Sequence, residues 1–169
     1  IVFAGAAYVQ LPITSDYRMA EAFTRRISTN LVAEQGTDIG KALELATLSF
    51  SSQSEQSRVI VLITDGENHE DDVLETARMA KEQGIKIFTI GIGTPEGAPI
   101  EIDGEFIKDE EGEMVVSKLD EQTLEQIATS TDGGYVRATK QSIGLEEIVK
   151  SINEMEKSEV QITHYTSYE

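Results

Sequence analysis

The chain contains no cysteine, which excludes disulfides, zinc–thiolate centres and thiol nucleophiles and leaves the redox compartment open. It is also short of basic residues. Fourteen Lys and Arg stand against 31 Asp and Glu, a formal net charge of −17. Phosphate backbones are gripped by a Lys/Arg surplus that releases counterions, so this balance excludes a general nucleic-acid binder. It disfavours anionic membrane surfaces for the same reason, and it favours cations or basic patches on a partner. No apolar run approaches the roughly 18–20 residues that a membrane helix needs. No Ser-His-Asp order, phosphate-cradling glycine loop or H-E-x-x-H stretch is found. The chain opens on Ile1-Val2-Phe3-Ala4-Gly5, an apolar run with neither Met nor a basic leader before it. That opening predicts a domain entered partway, with a segment upstream.

What is present reads as one globular domain. The 169 residues, 39% hydrophobic and 27% charged, fall within the usual size and composition of a compact unit. Ile1–Phe3 and Tyr8–Ile13 are short apolar runs that predict a hairpin, with Pro12 pushing the second strand toward a sheet edge. Asp16 caps an expected helix with the stripe Ala20, Phe23 and Ile27. Gln35-Gly36-Thr37-Asp38 forms a turn and cap before Ile39, Ala42, Leu43 and Ala46 at helical spacing. Val59-Ile60-Val61-Leu62-Ile63 has no alternation and predicts a parallel strand covered on both faces.

The alternation continues toward the C-terminus. A helix with Val73, Ala77 and Ala80 ends at Gly84, and Ile85–Ile92 is the next strand. Asp103-Gly104 and Glu111-Gly112 mark turns in a polar hairpin insertion near 98–117. Asp120 caps a helix with Leu124 and Ile127, stopped by Gly133-Gly134, before the strand Tyr135–Ala138. Leu145, Ile148, Val149, Ile152 and Met155 mark the longest amphipathic helix. The pattern predicts a domain over 1–157 and an extended tail over 158–169, where Val160-Gln161-Ile162-Thr163 alternates like a strand. Strands alternating with helices across short connections predict an α/β, doubly wound, mostly parallel sheet with helices on both faces. In such sheets ligands bind beyond the carboxyl ends of the strands.

Two positions at that edge could carry chemistry. Asp65 ends the Val59–Ile63 strand in Thr64-Asp65-Gly66-Glu67. A carboxylate there can ligate a hard cation, directly or through water, and magnesium keeps enough waters to need few protein ligands. Asp65-Gly66 reads equally as a turn, with Asp65 capping the helix over 71–83. Thr37 in Gly36-Thr37-Asp38-Ile39-Gly40 could offer its hydroxyl to the same cation, although Thr37 or Asp38 could simply cap the helix that follows. Glu67, His69, Glu70, Asp71 and Asp72 crowd the same loop. The last two fit the positive end of a helix dipole.

Together the strand ending in Thr64-Asp65-Gly66-Glu67, the Gly36–Gly40 loop and Thr89-Ile90-Gly91-Ile92-Gly93 resemble the von Willebrand factor type A domain. The finer similarity is to the bacterial Bat aerotolerance-associated membrane proteins, whose expected blocks match Ile1–Gly5, Gln10–Asp16, Gly36–Gly40, Thr64–Glu70 and Gly91–Pro99. The resemblance implies a doubly wound fold and a metal-ion-dependent adhesion site with Thr37 and Asp65 among the ligands. The implied metal is Mg2+, or Mn2+ or Ca2+ in its place, and the implied partner is a protein that completes its coordination with an acidic residue. It further implies a non-enzymatic interaction module among other Bat-like proteins. That module would be anchored in a bacterial inner membrane by segments outside this chain and would face the periplasm. The family's leading D-x-S-x-S motif is absent, and its expected place lies before Ile1, so little or no metal binding is expected of these 169 residues alone. In the resembled fold that motif's strand lies between Ile1–Phe3 and Val59–Ile63. Its loss would leave open edges, and a homo-oligomer is expected. The competing readings are a metal-dependent phosphohydrolase on a similar sheet, for which no nucleophilic carboxylate or general acid can be named, and a structural domain with a vestigial site.

Overall fold

The computed structural model describes residues 1–34, 36–51, 57–67, 73–102, 104–108 and 111–166. The chain begins with a short antiparallel hairpin, β1 (Val2–Phe3) and β2 (Ala7–Tyr8), in which Val2 faces Tyr8 and Phe3 faces Ala7. The hairpin is shorter than expected, since Val9–Ile13 does not continue as strand. Helix α1 (Tyr17–Thr24) follows, with Asp16 accepting from the Met19 N–H at 3.0 Å as its cap. Its stripe differs from the expectation. The helix ends before Ile27, which is exposed, and buries no residue fully. A 3-10 turn over Thr29–Leu31 leads to α2 (Ile39–Leu48).

The centre of the molecule is parallel. Strand β3 (Arg58–Thr64) runs beside β4 (Ile85–Gly91), in register from Arg58 opposite Ile85 to Thr64 opposite Gly91. Helix α3 (Val73–Glu82) connects them. After an insertion with strands β5 (Ala98–Pro99), β6 (Glu101–Ile102), β7 (Glu105–Phe106) and β8 (Val116–Ser117), the chain forms α4 (Glu121–Ser130). Strand β9 (Tyr135–Arg137) then pairs in parallel with β4, giving the order β3-β4-β9. Helix α5 (Leu145–Thr166) closes the fold. The tail expected to be extended is therefore helical as far as Thr166. A helix already formed gains one hydrogen bond per residue added, which outweighs a brief alternation.

Two apolar layers flank the sheet unequally. On one face Ile39 and Leu43 of α2, Ala77 and Ala80 of α3, and Leu124 and Ile127 of α4 pack with Leu62, Ile85 and Ile87. On the other face Ile148 of α5 packs with Phe88 and Ile90, joined by the partly buried Val59, Val136, Ile152 and Met155. Side chains alternate across a strand, so Val61 and Ile63 share the α5 face with Val59. They lie beyond its cover, 36% and 52% exposed. The expectation that β3 is covered on both faces is thus corrected. Leu145 and Val149 of α5 are likewise exposed rather than part of its buried stripe.

Strand β3 pairs only with β4 among the described residues. Its other edge borders a groove formed by two adjoining cavities of about 250 and 170 Å3. Ile1, Phe3, Leu11 and Pro12 line one wall, Val59–Ile63 the other, and Ala42 and Ala46 of α2 the floor. The hairpin and the three-stranded sheet are separate sheets.

Candidate metal-site edge

Three helices start at the carboxyl edge of the sheet. Each of α2 and α4 is capped by an aspartate: Asp38 accepts from the Lys41 N–H at 2.8 Å, and Asp120 from the Thr123 N–H at 3.1 Å. The N-terminal turns of α2 and α3 adjoin, since a Cβ built on Gly40 lies 3.8 Å from Thr76 Oγ1. The start of α4 meets the end of β3 directly, through the Asp120 N–H donating to the Asp65 carbonyl at 2.8 Å. Gly66 makes that approach possible. Its φ of +79° suits glycine, and an added Cβ would lie 2.7 Å from the Asp120 carbonyl and 3.0 Å from Leu124 Cγ.

Asp65 stands where the spacing placed it, half-buried at the end of β3. Its Oδ2 accepts from the Ser117 hydroxyl at 2.8 Å, and its Oδ1 has a long contact of 3.4 Å with the Thr64 hydroxyl. The Thr64 hydroxyl oxygen in turn accepts from the Gly66 N–H at 3.2 Å. None of the described ion pairs involves Asp65. Glu67, one turn of loop later, accepts from the Lys118 N–H at 2.9 Å. His69, Glu70, Asp71 and Asp72 lie outside the described residues, and with them the first two positions of the 71–83 helix that Asp65 was expected to cap.

Thr37 precedes α2 on the same edge, half-buried, and none of the described hydrogen bonds involves its hydroxyl. Capping of α2 falls to its neighbour Asp38, one of the two alternatives left open above. Asp38 is buried and also pairs with the Lys41 ammonium at 2.8 Å. Its backbone is tied to the hairpin, with its N–H donating to the Ala4 carbonyl at 2.8 Å. Burial acts to raise its pKa, but the Lys41 side chain, the Lys41 N–H and the ammonium charge outweigh it and hold the carboxyl below the usual value. A depressed carboxyl stabilises the fold above its unfolded pKa, about 3.9, and loses that contribution as pH falls through the folded value. Asp38→Asn is therefore expected to flatten the acid side of the Tm-versus-pH curve below about pH 4. Asp38→Ala, which removes the cap as well, should cost about 1 kcal/mol even at neutral pH. Thermal melts of both variants from pH 3 to pH 7 measure this.

The donors around Asp65 are hard oxygens: a carboxylate free of any described ion pair and the hydroxyls of Thr64 and Ser117. Their chemistry suits a hard divalent cation. Their number falls short of the about six oxygens magnesium takes, and no group of three or more His, Asp or Glu that could hold a metal occurs among the described residues. Ser117 escaped the sequence reading. The signal that could have found it is positional: an insertion that leaves the sheet after Gly91 must return to the same edge before the Asp120 cap.

Comparison with known proteins agrees with this architecture. The chain is 43% identical to an aerotolerance-related membrane protein from Bacteroides fragilis NCTC 9343, whose crystal structure superposes with a TM-score of 0.84 over 90% of this chain and 76% of that one. BatB from Bacteroides thetaiotaomicron, a conserved hypothetical protein, is 42% identical with a TM-score of 0.82, over 90% of this chain and 77% of that one. A protein of Borreliella burgdorferi described as uncharacterized is 26% identical over 140 residues, which are 79% of this chain and 39% of that protein. The matched residues thus span well under half the length of that relative. No helix among the described residues is long and apolar enough to cross a membrane, whereas the two Bacteroides relatives include one described as a membrane protein. The family profile of the von Willebrand factor type A domain matches residues 1–151, and the chain belongs to that family.

Proposed function

We propose that this domain is a non-enzymatic protein-interaction module that recognises an acidic residue of a partner through a divalent cation held at the Asp65 edge. Domains of this family generally serve as interaction modules, and members commonly bind a divalent metal. The observation that carries the reading is Asp65 itself. It stands at the end of β3, with hydroxyl partners and no described ion pair, against the start of α4. Thr37 and Asp65 would be the ligands contributed by these residues. Mg2+ is the first candidate, with Mn2+ or Ca2+ as substitutes, because all the donors are hard oxygens. Bound there, a cation would supply an open coordination position for a carboxylate.

The likeness to the Bacteroides proteins supports a wider setting. The domain, spanning 1–157, would belong to a membrane-associated complex of Bat-like proteins concerned with oxygen or stress tolerance. Segments outside these residues would anchor it in a bacterial inner membrane, with the domain toward the periplasm.

The test is titration calorimetry with Mg2+ and Mn2+ on these residues joined to an N-terminal segment that carries a D-x-S-x-S motif. Asp65→Ala is expected to abolish binding, and Asp65→Asn, which keeps the shape and removes the charge, to weaken it strongly. Both should leave the circular dichroism spectrum intact. Undiminished affinity in Asp65→Ala would sink the assignment.

A further inference from the structure

The segment 117–120 holds Asp65 at both ends. The Asp120 N–H donates to the Asp65 carbonyl and the Ser117 hydroxyl donates to its carboxylate, each at 2.8 Å. A carboxylate only accepts, so the Ser117 proton must point at Oδ2. The other contact of the carboxylate, with the Thr64 hydroxyl at 3.4 Å, is too long to fix a rotamer. The strand backbone alone leaves an aspartate several staggered choices at χ1. Ser117, by contrast, is well placed to choose among them. It sits in β8 opposite Ala98 of β5, and two residues on Leu119 is buried with its N–H on the Thr94 carbonyl at 3.0 Å. Lys118, between them, donates its N–H to Glu67.

We propose that Ser117 is a positioning residue for the Asp65 carboxylate. The insertion engages Oδ2 through this hydroxyl and turns Oδ1 toward whatever binds at the strand end. In return, Asp65 anchors the base of the insertion. The functional side of this inference rests on the reading of Asp65 as the cation-facing carboxylate. The positioning itself does not, and it can be measured without metal.

The experiment is NMR on the metal-free chain, reading the Asp65 χ1 from three-bond couplings. One rotamer is expected in the unaltered protein, several in Ser117→Ala, and one again in Ser117→Thr, which keeps the hydroxyl. A serine that merely braced the insertion would leave the Asp65 χ1 unmoved. The reciprocal measurement is amide exchange in Asp65→Ala. The Ile100, Ile107 and Val115 amides, which hold the insertion together, should exchange at least about tenfold faster, because a hydrogen bond to a charged group exceeds a neutral one. The Ile87 and Thr89 amides serve as core controls. A single Asp65 rotamer in Ser117→Ala, or unchanged exchange in Asp65→Ala, overturns the proposal. The rotamer result decides the role of Ser117 without metal, so its failure is distinguishable from failure of the cation reading, which the calorimetry above decides.

Discussion

Light scattering on the purified 169-residue chain is expected to give a mass well above the 18.6 kDa of one copy. Strand β3 offers seven residues of extended backbone whose outer N–H and C=O groups meet no described strand. An edge of this kind recruits another chain unless charge, proline or a bulge blunts it. None of these interrupts Val59–Ile63, and only Arg58 at the start carries charge. The uncovered Val61 and Ile63 add apolar surface, worth about 25 cal/mol per Å2 when buried. The net charge of −17 opposes association, so raising the salt should drive it further by screening that repulsion. Val61→Lys, which places a charge on the open strand, should return the chain to a single copy. A well-folded monomer of unaltered sequence would refute the expectation.

The largest effect of a single substitution is expected at Gly133. A Cβ built there overlaps the carbonyl of Ile87, on the central strand, and no side chain can yield to relieve it. Either the turn after α4 or the strand itself must move, at a cost of about 3 kcal/mol or more. Domains of this kind hold only about 5–15 kcal/mol in total. Gly133→Ala should therefore lower the urea midpoint severely or prevent folding. Gly112 is the control. It meets nothing within 4 Å, so Gly112→Ala carries only the strain of its φ of +86°, about 1–2 kcal/mol. Equal losses in the two variants would show that the close approach at Ile87 is not what matters.

Short-range chemistry in this chain is readable before any coordinates. Asp16, Asp38 and Asp120 cap the helices they were expected to cap or were weighed for, because a cap depends on a few neighbouring residues. The unbroken apolar run Val59–Ile63 marks β3 as a strand of the parallel pair for a similar reason. What could not be read depends on residues distant in sequence. Val61 and Ile63 look like core from their type, yet they are exposed because the α5 layer reaches β3 only at Val59. Asp65 was legible as a strand-end carboxylate. Its partner Ser117 lies 52 residues away, brought there by an insertion whose path no local pattern encodes.

The unequal cover of the sheet has a mechanical meaning. Among the described residues, eleven buried ones join α2, α3 and α4 to one face, while three, including Ile148 of α5, make up the buried core of the other. Cooperative units with fewer buried apolar contacts open at lower free energy. A pull transmitted through the C-terminal end enters the domain along α5 and meets this thinner seam first. The helix can peel from Phe88 and Ile90 while α2, α3 and α4 keep their grip on the opposite face. The edge that carries Asp65 and the C-terminal helix are thus held by different layers of the same sheet.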